Sequence, residues 1–320
     1  MPKQYVVGID IGGQTSKLGV VDARGDVLSQ TVIRTDTFGR DADAYIAALA
    51  EAVKSCIMQA SLTPEDIRGI GVGAPNGNYY TGEVAFAPNL AWAADQAVPL
   101  AKKLSDACGV PVSLTNDANA AAVGEMAYGA ARGMKNFIMI TLGTGVGSGI
   151  VVDGKVLYGH DGFAGELGHT CVVRNNGRTC GCGKTGCLEA YCSAMGIART
   201  AREWLEASGQ PTPLRDLQNI TSKDIYDAAK QGDNFSLRLF EYTGTLLGQS
   251  FADFVAYSAP EAIVLFGGLA RAKEFLYEPM RRAMEENLLK IWKGKVQIVF
   301  SQLKESDAAI LGASALAWEL

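Results

Sequence analysis

The sequence predicts an α/β protein made of two halves that begin alike. The stretch YVVGIDIGGQTSKLGVVDARGDVLSQ, residues 5–30, is echoed by NFIMITLGTGVGSGIVVDGKVLYG, residues 136–159. Each reads as a strand, a glycine-rich turn, a strand, an Asp/Gly turn and a third strand. Behind each copy, short apolar runs alternate with longer segments of helical spacing, the pattern of crossover helices on a mixed sheet. With 320 residues, 48% of them hydrophobic and 20% charged, the chain is long enough to bury two cores.

In the first half, DADAYIAALAEAVKSCIMQAS (41–61) has helical spacing, IRGIGVGAP reads as a buried strand, a second helix is expected near 97–108, and VPVSLTND is a further strand. In the second, helices over about 193–207, 222–231 and 234–258 precede the strand AIVLFGG, a helix and the strand VQIVFSQ. SDAAILGASALAWEL closes the chain as a helix, with Ser306 or Asp307 placed to cap it. No low-complexity linker divides the halves, and YGAARGMKN, about 128–136, is the expected crossing.

Composition excludes several classes. The net charge is −5, and Lys and Arg are spread among Asp and Glu. There is no basic stripe for a nucleic-acid backbone, so no nucleic-acid partner is expected. The start, MPKQYVVGIDIGG, has neither the charge pattern nor the apolar run of a signal or transit peptide, and no apolar span approaches the ~18–20 residues a bilayer needs. A cytoplasmic protein without membrane contact is expected, its thiols reduced; a tight cysteine cluster then reads as a metal site before a disulfide framework.

The glycine turns have an unusual setting. Asp10, Ile11, Gly12 and Gly13 join strand to strand, whereas a dinucleotide fingerprint or a Walker loop opens a helix. Such a turn alone is equally an ordinary hairpin. The second copy, TLGTGVGSG, carries Thr141, Gly143, Thr144, Gly145 and Gly147, more glycine than a hairpin requires. Bare backbone N–H groups of this kind approach anions closely, so the pair of turns suits a polyphosphate. Gly267 and Gly268 end the strand AIVLF, where open α/β sheets place ligand loops.

Five of the seven cysteines lie between Glu166 and Cys192. His169, Cys180, Cys182 and Cys187 follow H-x10-C-x-C-x4-C, one imidazole and three thiolates, a tetrahedral set suited to structural Zn2+. Cys171 and Cys192 flank the set as alternative ligands, while Cys56 and Cys108 sit on apolar helical faces. GCGKT resembles a Walker loop only in part, since Arg178 stands where that loop needs glycine. Glu166 and Glu189 bracket the loop, either as surface acids or as carboxylates that accept from vicinal hydroxyl groups. In TNDANAAAVGE, Asn116 and Asp117 stand where a strand ends and a helix begins; Asp117 is either a helix cap or a catalytic carboxylate. Asn89, in APNLAW, and Asn76, in GAPNGN, are polar ligands or turn residues.

The ordered series DIGG, APNLAW, TNDANAAAVGE, GTGVGSG, GELGH and the cysteine run resembles the ROK family of sugar kinases over essentially the whole chain. One departure is Gln14 followed by Thr15, where the family reads DIGGT. The resemblance implies an α/β fold of two actin-like (ribonuclease H-like) ATPase lobes, each a mixed sheet with flanking helices, and a zinc-binding insert in the second. The smaller lobe would comprise 1–117 with 305–320, and the larger 118–304 with the zinc loop 166–192. It implies ATP-dependent phosphorylation of a hexose, glucose in the glucokinase-like reading, at the 6-hydroxyl. Other hexoses, such as mannose or fructose, and N-acetylhexosamines are the alternatives. Asp117 would be the general base, Asn116, Glu166, His169, Glu189, Asn89 and Asn76 sugar ligands, and Asp10 the residue that positions Mg2+. Gly12, Gly13, Thr15, Lys17, Thr141, Gly143, Thr144, Gly145, Gly147, Gly267 and Gly268 would hold ATP. Zinc would fix the sugar loop without performing chemistry. A homo-oligomer, dimer or tetramer, is expected. A sugar-sensing repressor of the same family adds a helix-turn-helix in front, whereas here the first strand begins within six residues.

Overall fold

The computed structural model describes residues 3–320, apart from the side chains of 305 and 306. It is a mixed α/β chain with two five-stranded sheets, and it divides into two compact units: 1–134 with 156–165 and 302–320, and 135–155 with 166–301.

In the first unit, β1 (Tyr5–Ile11), β2 (Thr15–Asp22) and β3 (Val27–Arg34) form an antiparallel meander. Helix α1 (Ala42–Gln59) follows, capped by the Asp41 carboxylate, which accepts from the Ala44 amide. Next come β4 (Ile67–Gly73), a two-residue ladder of β5 (Val84–Ala85) with β6 (Ala97–Val98), α2 (Leu100–Cys108), β7 (Val112–Thr115) and α3 (Asp117–Tyr128). The sheet runs β3-β2-β1-β4-β7, with β4 and β7 parallel to β1. Its core joins Val7, Ile9, Leu18 and Val72 to Leu49 and Val53 of α1, and Cys56 and Cys108 are buried there.

In the second unit, β8 (Phe137–Leu142) and β9 (Val146–Val152) form a hairpin, and the third strand, β10 (Lys155–Val156), is cut to two residues. A short helix α4 (Glu189–Cys192) leads into α5 (Ala194–Ala207), then α6 (Ser222–Lys230) and α7 (Asn234–Ser258). Strand β11 (Ala262–Phe266), helix α8 (Lys273–Asn287) and strand β12 (Gln297–Phe300) complete a sheet of order β10-β9-β8-β11-β12. Ile138, Ile140 and Leu265 of the sheet share a core with Phe240, Phe251, Phe254 and Met280 of α7 and α8.

The chain ends in α9 (Glu305–Leu316), which belongs to the first unit. It presses on the first sheet at glycines: a Cβ on Gly8 or Gly71 would stand 2.1 Å from the Ile310 carbonyl oxygen or 1.9 Å from that of Ala313. Helix α3 packs against α9, so 118–134 group with the first unit and not with 135–301, as the boundary expected after 117 would have it. The helix starts at Glu305 behind Lys304, which places Asp307 inside the first turn and not at the cap; the Ser306 side chain lies outside the described residues. Among the described residues no helix is long and apolar enough to cross a membrane.

Candidate active site

In the first unit, the β1–β2 turn sets Asp10 opposite Lys17 and closes with Gly12 N–H donating to the Thr15 carbonyl at 2.9 Å. Thr15 is therefore the first residue of β2. Behind the turn Ser16 is fully buried, its hydroxyl 2.7 Å from both Thr35 Oγ1 and Tyr45 Oη. Tyr45 stacks at 4.8 Å on Trp92 of the APNLAW stretch, and the Asn89 carbonyl lies against Gly13. These contacts hold the asparagine loop to the glycine turn; nothing local in the sequence signals them, since the partners are 19 and 29 residues apart. The Asn89 side chain is exposed. Asn76 has a left-handed φ of 52° and donates its amide to the Ala85 and Phe86 carbonyls, the behaviour of a turn residue.

At the end of β7, Asn116 and not Asp117 caps α3: its side-chain oxygen accepts from the Asn119 amide at 2.7 Å. That leaves the Asn116 NH2 group to donate elsewhere. Asp117 is reached by solvent yet hemmed in by protein, and this loss of hydration raises its pKa; the Ala118 N–H bond, 2.9 Å, opposes the rise. Asp10, half-buried, is pushed up to about 6, first by desolvation, then by the charge of Asp117, against the favourable charge of Lys17. The first unit thus brings two acids together whose joint ionisation is unfavourable, a place where a divalent cation would relieve the repulsion.

In the second unit, Thr141 pairs with Gly147 and Leu142 with Val146, leaving 143–145 as the turn. The Gly147 N–H donates to Thr141 Oγ1 and the Gly143 N–H to the Gly145 carbonyl, and Thr144 is exposed. Strand β11 runs parallel to β8 and ends beside it, Phe266 opposite Thr141, so that Gly267 and Gly268 emerge next to the turn. Gly267 has φ 102°, and a Cβ there would lie 2.6 Å from the Leu142 carbonyl oxygen.

The ligand atoms of His169, Cys180, Cys182 and Cys187 all lie within 4.8 Å of one another. His169 Nδ1 is 3.7 Å from Cys180 Sγ, and Cys182 Sγ is 3.8 Å from Cys187 Sγ. A tetrahedron with metal–sulfur bonds of ~2.3 Å has edges of about 3.8 Å, so this donor set fits zinc. Cys171 points its thiol at the Val173 and Thr185 carbonyls, and Cys192, buried, at that of Thr243. His169 Nε2 is turned toward Glu166 Oε2 at 3.9 Å. Lys184 of GCGKT donates to the His169 carbonyl and opens no helix, which removes the Walker resemblance. Arg178 is a component that motif reading passes over. It donates to Glu203, to the Ala190 carbonyl and to Thr200 Oγ1, lies over the Tyr191 ring, and so ties the loop to α4 and α5.

The ROK family model matches residues 6–319. The chain belongs to the ROK family. It is 38% identical over 290 residues to a glucokinase of Halalkalibacterium halodurans, covering 89% of this chain and 86% of that one. To a glucokinase of Thermotoga maritima it is 36% identical, over 99% and 98% of the two chains. Among solved structures it is similar to a ROK family glucokinase from Streptomyces griseus in complex with glucose and AMPPNP. That pair shares a TM-score of 0.80 and 33% identity, over 99% of this chain and 100% of that one.

Proposed function

We propose that this ROK protein is a sugar kinase that transfers the γ-phosphoryl group of ATP to the 6-hydroxyl of glucose, with Asp117 as general base. The observation that carries the reading is Asp117 itself: an acid at a strand end, relieved of capping by Asn116 and held above the usual carboxylate range. Asp117 takes the hydroxyl proton as the oxygen attacks phosphorus, and ADP departs. The Asn116 amide donates to a hydroxyl near the reacting one. Glu166, His169 through Nε2, and Glu189 accept from or donate to hydroxyls farther round the ring, with Asn89 a further ligand. The β1–β2 and β8–β9 turns, with Thr15, Lys17, Gly267 and Gly268, offer N–H groups and charge to the nucleotide.

Magnesium arriving with ATP would neutralise phosphate oxygens, and Asp10 would be the residue that orients it. His169, Cys180, Cys182 and Cys187 would hold zinc, which would supply rigidity to the sugar loop. The repeated hairpin-and-sheet plan is that of actin-like ATPases. Free thiols favour a cytosolic setting, and assembly into a dimer or tetramer is part of the proposal, with sedimentation as its test.

A coupled ADP-release assay across a dozen sugars tests the reading. Glucose is expected to have the highest kcat/KM. A higher value for N-acetylglucosamine or fructose would change the substrate and leave the chemistry, and no sugar-dependent ADP release would overturn both.

A further inference from the structure

The glycine turn assigned to the nucleotide and the loop assigned to the sugar are built against each other inside the second unit. Glu189 Oε2 accepts from the Val146 N–H at 2.9 Å, directly at the end of the 143–145 turn, while Oε1 lies 3.4 Å from Cys180 Sγ. The Ala194 amide, just beyond α4, donates to the Gly143 carbonyl at 2.9 Å. From the other side Leu167 N–H donates to Ser148 Oγ, and a Cβ on Gly168 would stand 2.0 Å from the Val146 carbonyl oxygen. Gly145 explains the arrangement further: a Cβ there would sit 2.3 Å from Glu189 Oε2. Its backbone lies outside the left-handed region, so neither conformation nor turn type demands glycine; the carboxylate does.

We propose that Glu189 is a positioning residue for the β8–β9 turn. The carboxylate that reads a sugar hydroxyl also fixes the backbone N–H groups offered to the nucleotide, and Gly145 is glycine in order to admit it. This rests on the kinase reading above. A carboxylate has room for both tasks, since each oxygen accepts more than one hydrogen bond. The two substrates are then coupled through one side chain, and coupling of this kind is reciprocal for binding.

The test crosses the two halves of the reaction. Gly145→Ala is expected to fold, because the group it displaces is the end of a flexible side chain. It should raise the KM for glucose at least about tenfold, the scale of a lost hydrogen bond to a charged group, although residue 145 lies in the nucleotide turn. Glu189→Ala should weaken AMPPNP binding several-fold in the absence of sugar, and Glu189→Gln, which keeps an acceptor for Val146 N–H, should restore it. The double variant Gly145→Ala/Glu189→Ala should be no worse than Glu189→Ala alone. Zinc content, measured in parallel, should stay at the wild-type level in Gly145→Ala. A glucose KM for Gly145→Ala within twofold of wild type, or unchanged AMPPNP affinity in Glu189→Ala, overturns the proposal while leaving the kinase reading intact. Wild-type protein that binds neither glucose nor AMPPNP overturns the reading and this inference with it.

Discussion

Asp10→Asn should stabilise the unliganded protein while abolishing its activity. The Asp10 pKa rises from 3.8 to about 6 on folding. At ~1.4 kcal/mol for each tenfold change in ionisation constant, that is about 3 kcal/mol against the folded state once the group is charged. Asp10 is half-buried, and solvent screening trims this to roughly 1–3 kcal/mol. An acid with a raised folded-state pKa holds its proton more tightly when folded. The cost is therefore absent below about pH 4, grows between about pH 4 and 6, and is complete above about pH 7. Asparagine is neutral throughout. For a unit of this size each kcal/mol moves Tm by about 2–4 °C, so the variant should melt roughly 2–12 °C above wild type at pH 8 and level with it at pH 4. Melting curves without nucleotide or divalent cation read this out, and steady-state turnover should fall at least about a hundredfold. A variant that melts below wild type at pH 8, or a difference that does not change with pH, would refute the role of Asp10 as a strained acid kept for function.

Three further outcomes follow from the site. Asp117→Asn should lower kcat at least about a hundredfold with glucose Kd nearly unchanged, and loss of Tm with turnover preserved would show a merely structural residue. Because the base must be ionised and its pKa is raised, kcat/KM for glucose should fall as the pH drops, with a midpoint above the ordinary carboxylate range; a profile flat down to pH 4 would contradict this. Metal analysis should find one zinc per chain in the wild type, and Cys182→Ser should lose zinc and glucose binding together; full activity in a zinc-free variant would remove the metal from the site.

The hairpins, the crossover helices and the Cys/His cluster were legible because each is written locally. Period-two runs flank glycines at residues 12–13 and 143–147, and Cys180, Cys182 and Cys187 fall within eight residues. What escaped was decided by contacts between distant segments. The α3 helix joins the first unit because α9, nearly 200 residues later, packs on it. TNDAN offers two acceptable caps, and only the backbone geometry gives that task to Asn116 and frees Asp117. Asn76 reads equally as a ligand or a turn residue because nothing in GAPNGN reveals that the Ala85 and Phe86 carbonyls will engage its amide. The tie between Glu189 and Val146 spans 43 residues and has no sequence signature beyond an extra glycine.

Purified chain incubated with glucose, ATP and magnesium should yield a product whose phosphorus couples, by NMR, to the two protons on C6, in equal amount with ADP and absent for Asp117→Asn. Phosphate found on O1, or ATP consumed without any sugar phosphate, would contradict the assignment of Asp117 as the base that activates the 6-hydroxyl.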